Sequence, residues 1–311
     1  MSATPRQAPP AIRAPGSRST GEASFRSLFR TGTSDLEAKA IPGGMLTRSD
    51  ALRLAERLNS GIADIVFLDP PFNLGKNYGI GSKLEGYEPE EYEAYMKHLL
   101  HHMVRTLKPG GALFLYHLPY WASRLSQDLH KLLEFRHWIA VAMKSSFARG
   151  NRLYPAHYGL LYFTKGTPSV FHRPKLQPKR CRSCRALVKD YGGYTSIIEQ
   201  KGINLSDVWD DLSPVRHKVR KNSSGNELPT TLTDRVVSIA GTPGGLLLDP
   251  FAGSGTCLVS ASAVGMTFLG NDSSQKALDI SLARLRRVAA VSASPPTSPS
   301  RTLRSKGGTR A

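Results

Sequence analysis

Short apolar runs alternate with amphipathic stretches along the body of this chain, and that rhythm narrows the choice of folds. ADIVFLD (63–69), GALFLYH (111–117), HYGLLYFTK (157–165), GGLLLDP (244–250) and MTFLGND (266–272) have the length and aliphatic content of buried strands. Helical spacing marks ALRLAERL (51–58), EPEEYEAYMKHLLHHMVRTL (88–107), WASRLSQDLHKLLEF (121–135), LTDRVVSIA (232–240), CLVSASAVG (257–265) and a last helix from Ala277. The long helix 88–107 is expected to close at Lys108-Pro109-Gly110-Gly111. Strands separated by helices predict an α/β protein, a doubly wound, mostly parallel sheet covered on both faces. Ligands of such sheets sit at the carboxyl ends of the strands.

The rhythm fails in three places. Residues 1–40 and 289–311 are rich in Pro, Ser, Thr and Arg, and are read as a disordered basic arm and tail. An organelle transit peptide is the alternative for the arm. In 166–222, Lys and Arg outnumber acids by more than two to one, and DYGGY (190–194) adds aromatics, so this stretch reads as an insertion that meets something acidic. The whole chain carries 42 Lys and Arg against 24 Asp and Glu, a formal net charge of +18. Such an excess predicts attraction to a polyanion, of which nucleic acid is the commonest. Three cysteines make no disulfide framework and suggest a reducing compartment. No apolar run is long enough to span a bilayer.

Two strand ends carry chemistry. In LDPPFNLGKNY (68–78), Pro70 and Pro71 stiffen the loop and remove two backbone donors. Asp69 and the Pro70 carbonyl then present two acceptors beside the flat ring of Phe72. Two acceptors next to an aromatic face suit an NH2 group on a planar ring. Hydrogen bonds from both N–H groups favour a pyramidal nitrogen whose lone pair can attack a methyl donor. Bonds that strengthen in the transition state lower the barrier, so no metal is needed. In LLLDPFAGSGTC (246–257), a strand delivers Asp249, and Gly253 and Gly255 let the backbone turn sharply towards a ligand. The turn lacks the Lys-Ser/Thr of a P-loop and the third glycine of a dinucleotide fingerprint. The following strand ends in Asp272, where a ribose diol could be held.

Together these segments resemble the N6-adenine/N4-cytosine DNA methyltransferases. Asp69-Pro70-Pro71-Phe72 matches the family's catalytic D/N/S-P-P-Y/F/W motif, and DPFAGSGT (249–256) matches its S-adenosylmethionine (AdoMet) motif. The similarity covers about 44–165 and 222–288, including SDALRLAERLNSGIADIVFLDPPF, VRTLKPGGALFLY and HYGLLYFTKG. The catalytic motif comes first, which is the permuted β arrangement. In place of HPTQKP the chain has GNELPTTL (225–232), which keeps Pro229 and Thr230 and loses the Lys.

The resemblance implies a Rossmann-like AdoMet-dependent domain over 41–288, with 166–222 as a target-recognition insertion. Asp69, Pro70, Pro71 and Phe72 are then catalytic. Asp50, Asp249, Phe251, Gly253, Gly255 and Asp272 surround AdoMet. The partner is duplex DNA, and the target a flipped adenine or, as the alternative, cytosine. Asp at the first catalytic position favours adenine N6. Arg216, Lys218, Arg220 and Lys221 are candidate phosphate contacts; Arg182, Arg185 and Tyr191 are candidate base contacts. Lys76, Asn77 and Tyr78 could close over the flipped base. An RNA methyltransferase and a catalytically dead DNA-binding protein are the remaining readings.

Cys181 and Cys184 form a CxxC without a second pair, read as free thiols with structural zinc as the alternative. Cys257 is read as packing in its helix. His101 and His102 are read as surface or packing residues. No metal site is expected. Monomer and homodimer are both compatible with the sequence. The compartment is cytoplasm and nucleoid for a bacterial chain, or nucleus or organelle for a eukaryotic one.

Overall fold

The computed structural model describes residues 25–30, 36–73, 86–142, 151, 153, 156–181, 183–189, 192–212 and 227–293. In chain order the elements are β1 (Glu37–Ile41), β2 (Gly44–Arg48), α1 (Ala51–Arg57), β3 (Ala63–Leu68), α2 (Pro89–Thr106), β4 (Leu107–His117), α3 (Pro119–Leu132), β5 (Glu134–Ala142) and β6 (His157–Thr164). There follow β7 (Lys175–Leu176), α4 (Thr195–Lys201), β8 (Ile203–Asn204), β9 (Val208–Trp209), α5 (Thr230–Ala240), β10 (Leu246–Asp249), α6 (Thr256–Ala263), β11 (Thr267–Asp272) and α7 (Gln275–Ala293).

Nine strands form one sheet in the order β1-β2-β11-β10-β3-β4-β6-β5-β9. From β2 across to β4 every neighbouring pair is parallel. The alternation of side chains along each strand explains why the sheet needs cover on both faces. In β3, Val66 and Leu68 join one core with α1, α2 and α3, while Ile65 and Phe67 join another with α5, α6 and α7. The helix ends follow local rules. Pro89 and Pro119 occupy first-turn positions, where a missing N–H costs nothing. Glu90 and Glu91 open α2 and Arg105 closes it, matching the helix dipole.

Several expectations need correction. Parts of the stretch read as a disordered arm are structured. β1 pairs antiparallel with β2, and Phe25 is buried in the core beneath α1. Asn59 fastens this segment, donating from Nδ2 to the carbonyls of Ser27 and Phe29. A basic composition hid the three apolar side chains Phe25, Leu28 and Phe29. β1 was missed because four of its five residues are exposed; its backbone ladder and the buried Ile41 hold it.

The helix expected over 121–135 stops at Leu132, and β5 begins two residues later. β5 mixes Arg136 and His137 with apolar residues and is half exposed, so its period is weak. β6 is a strand as expected but runs antiparallel to both β4 and β5. Lys108-Pro109-Gly110-Gly111 lies inside β4, where the ladder to β3 slips between Ala63 and Ile65.

The insertion is not wholly peripheral either. β7 and β8 make a small ribbon, but β9 adds to the main sheet beside β5, with Trp209 and Leu212 buried. Buried Arg235 on α5 bonds the Asp211 carboxylate at 2.9 and 2.5 Å and lies 5.3 Å above the Trp209 ring.

Candidate active site

The carboxyl ends of β2, β3, β4, β10 and β11 meet on one side of the sheet, and the two motifs leave from there. Asp69 follows β3. Pro71 and Phe72 are clamped through their carbonyls rather than their side chains. Tyr92 on α2 donates its hydroxyl to the Pro71 carbonyl at 2.5 Å, and Trp121 on α3 donates Nε1 to the Phe72 carbonyl at 3.1 Å. Tyr92 is in turn 2.8 Å from His117 Nε2. His117 Nδ1 accepts from the Leu118 N–H at 2.8 Å, which places the ring proton on Nε2. The chain of donors therefore runs His117, Tyr92, Pro71. Burial pushes His117 down to about 3, so the ring is neutral.

Asn73 has φ of +52°, a left-handed conformation that asparagine tolerates. Its side chain bonds the Tyr87 carbonyl and the Gly86 N–H, which holds residues 73 and 86–87 together.

What the clamp leaves free is informative. Among the described residues neither the Pro70 carbonyl nor the Asp69 carboxylate accepts a hydrogen bond. Asp69 is part-covered at the surface, yet burial by its surroundings pushes its carboxyl up to about 7. Phe72 stands beside Tyr158, Tyr116 and His117, with ring centroids 5.6, 6.1 and 5.1 Å away. Tyr116 and Tyr158 are 4.9 Å apart. Burial, and then the Asp69 charge, hold both phenols above their ordinary range. Two unused acceptors thus face an aromatic wall.

The glycine-rich turn leaves β10. Buried Asp249 accepts the Phe251 N–H at 3.0 Å through Oδ1, and Asp272 accepts from Gly253 and Ser274 at 3.0 and 2.8 Å. Burial raises both carboxyls, and the Asp69 and Asp272 charges raise Asp249 further. No described Lys or Arg is hydrogen-bonded to any of the three aspartates. Arg284 lies near the turn but is used otherwise. It bonds Ser254, Thr256 and Glu227, at 2.8 to 2.9 Å. Among the described residues this acidic cluster has no hydrogen-bonded cation of its own, and it suits a ligand that brings positive charge.

Gly253 has φ of +51°, and a Cβ there would meet nothing nearer than 3.9 Å, so open space lies where a ligand would approach. Gly255 is different. A Cβ there would lie 2.8 Å from Ser281 Oγ, so the bare glycine serves the packing of α7. Asp50, expected beside a cofactor adenine, N-caps α1 through Leu52 and Arg53 and accepts from the Tyr95 hydroxyl. Phe251 packs part-buried on the core beneath α1–α3.

The sequence did not reveal Asn271. It is buried, donates to the carbonyls of Ser49 and Pro250, and accepts from Thr47 and Ser49. It ties three strand ends together. Tyr92, Tyr116, His117, Trp121 and Tyr158 were missed too, although aromatics crowd the ends of the expected strands. Arg185 is exposed at φ of +63°, in the turn between Arg180 and Leu187. Lys76, Asn77, Tyr78, Arg182, Tyr191, Arg216, Lys218, Arg220 and Lys221 lie outside the described residues.

The family model for N6/N4 DNA methylases matches residues 63–283 of this sequence. The chain belongs to that family. Both motifs, the aromatic wall and the glycine turn fall inside the matched span. Among relatives of this methylase-family chain is the type II methyltransferase M.BamHI of Bacillus amyloliquefaciens, 40% identical over 232 residues. That match takes in 73% of the present chain and 54% of M.BamHI, so the chain spans about half that relative's length.

Two solved structures share the fold. The cytosine-N4-specific PvuII DNA methyltransferase superposes with a TM-score of 0.58 at 14% identity, over 80% of this chain and 91% of that one. The complex of M1.HpyAVI with SAM gives 0.53 at 16%, over 77% and 98%.

Proposed function

We propose that the protein is an AdoMet-dependent DNA methyltransferase that acts on the exocyclic amine of a base, adenine N6 first and cytosine N4 as the alternative. The observation that carries this is the pair of unused acceptors, Asp69 and the Pro70 carbonyl, beside Phe72 and next to an acidic cluster with no hydrogen-bonded Lys or Arg among the described residues. AdoMet suits that cluster, because its sulfonium and ammonium groups bring the positive charge that Asp69, Asp249 and Asp272 are not given by those residues. M1.HpyAVI, which has the same fold, was solved with SAM. Bound there, AdoMet supplies the electrophilic methyl group.

The protein's own groups do the rest. Phe72, with Tyr116 and Tyr158 beside it, receives the flat face of a base rotated out of the duplex. Asp69 and the Pro70 carbonyl accept hydrogen bonds from the two amine N–H groups, and the nitrogen lone pair is turned towards the methyl donor. The lost proton passes to a carboxylate of Asp69 that is already disposed to take it. The Tyr92 and Trp121 clamps keep Pro70 from drifting, so positioning is built before the base arrives.

Asp at the first motif position supports adenine; the PvuII enzyme, with the same fold, is named cytosine-N4-specific. Incubation of the full chain with labelled AdoMet and unmethylated duplex DNA, and in parallel with RNA, followed by nucleoside mass spectrometry, separates the readings. N6-methyladenine supports the first and N4-methylcytosine the alternative. Label in RNA alone, or in neither nucleic acid, overturns the proposal.

A further inference from the structure

Away from the strand ends, Glu56 of α1 and His98 and His102 of α2 bring one ligand atom each within 4.8 Å of one another. The histidines are four residues apart on one helix, hence on the same face. Their Nε2 atoms lie 3.2 Å apart with the rings tilted by 35°. Two imidazole nitrogens bound to one tetrahedral zinc ion at about 2.0–2.1 Å would be about 3.3–3.4 Å apart. The two nitrogens now share one hydrogen bond, and their spacing is within about 0.2 Å of that of two ligands on one ion, so an ion could take the place of the shared proton. We propose that Glu56, His98 and His102 form a site for a borderline divalent transition metal, zinc foremost, with solvent completing the tetrahedron.

The chemistry of the donors supports this class of ion. Two neutral nitrogens and one carboxylate suit zinc, nickel or copper, whereas magnesium and calcium require oxygen. Nδ1 of His102 is buried without a partner among the described residues, so the ring is oriented by packing and by its Nε2 contact to His98. Arg105 is the nearby opposing charge, and its guanidinium is bonded to Ser60 and the Ala55 carbonyl.

The site is remote from the chemistry. His98 and His102 lie six and ten residues beyond Tyr92 on the same helix, about 9–15 Å along its axis. A metal here would staple α1 to α2. Those helices carry Asp50 and Tyr92 at their other ends, so the role is structural rather than catalytic.

The test uses the full chain, stripped of metal, with Cys181→Ser and Cys184→Ser removing the competing thiols. Zinc chloride is titrated calorimetrically, and thermal unfolding is followed with zinc or magnesium. One zinc per chain should bind and raise Tm, and magnesium should do neither. Adding His98→Ala, an exposed position whose loss leaves the core intact, should weaken zinc at least tenfold, since even outer-shell losses cost 10–100-fold. Glu56→Gln should weaken it in the same direction. Absence of saturable zinc binding, or binding and Tm unchanged by His98→Ala in a folded variant, overturns the proposal.

Discussion

Asp69 concentrates the consequences at the scale of a residue. Its carboxyl ionises at about 7 in the folded chain against an ordinary 3.8, because burial penalises the charge. The folded state therefore holds a proton between those values that the unfolded state has released, and stability falls as pH rises across that window. Asp69→Asn should raise the Tm of the cofactor-free protein at pH 8, and the advantage should vanish by about pH 4. Scanning calorimetry at both values checks the sign.

Transfer needs the ionised acceptor, so kcat/KM should climb with pH to about 7 and then level. The Asn variant should show no such limb. Asp69→Ala should lower the rate by about 10²–10³, the cost of a lost transition-state hydrogen bond, with AdoMet affinity nearly unchanged in a binding titration. The two glycines separate by the same logic. Gly253→Val should abolish AdoMet binding in a folded protein, whereas Gly255→Ala should lower Tm, because its new methyl meets Ser281.

At the scale of an element, α2 acts on the motif through Tyr92. Tyr92→Phe removes the donor to Pro71 and strands the Nε2–H of His117. We expect a stability loss of about 1–3 kcal/mol for the buried group left without a partner. The rate should fall while AdoMet affinity holds; a lowered affinity with unchanged rate would place Tyr92 in cofactor binding instead. In the insertion, Asp211→Ala would leave Arg235 buried and uncompensated. Losing one partner of a buried pair costs about 3–5 kcal/mol, and the exposure of Asp211 puts this pair at the low end. Chemical denaturation of the variant measures it.

On the proposed reading, the whole molecule would meet DNA with its charge. Neutralising Arg216, Lys218, Arg220 and Lys221 together should weaken binding to all duplexes alike. It should also flatten the salt dependence by up to about 0.9 log units for each phosphate that the protein no longer neutralises. Changing Arg182 or Arg185 should instead alter which sites are methylated. Uniform loss of affinity from both groups, with the methylated motif constant, would move recognition elsewhere.

Much of this was legible before any coordinates. Asp69-Pro70-Pro71-Phe72 and the Asp249–Thr256 turn are local devices: proline rigidity, glycine torsion and a strand end are properties of adjacent residues. β3 and β10 were legible as short apolar runs buried on both faces, and α2 and α5 by the helical period of their buried faces. β1 and β5 were not, because exposed or mixed strands owe their pairing to backbone ladders that leave no side-chain period. Nor could sequence bring Tyr92 to Pro71, Asn271 to Ser49 and Pro250, or Ser281 against Gly255. Those pairings join residues 21 to more than 200 positions apart, and only the packed sheet brings them together. Sequence thus determined which groups could do the chemistry; tertiary structure decided which remain free to do it, because hydrogen bonding and burial commit the others to holding the site in place.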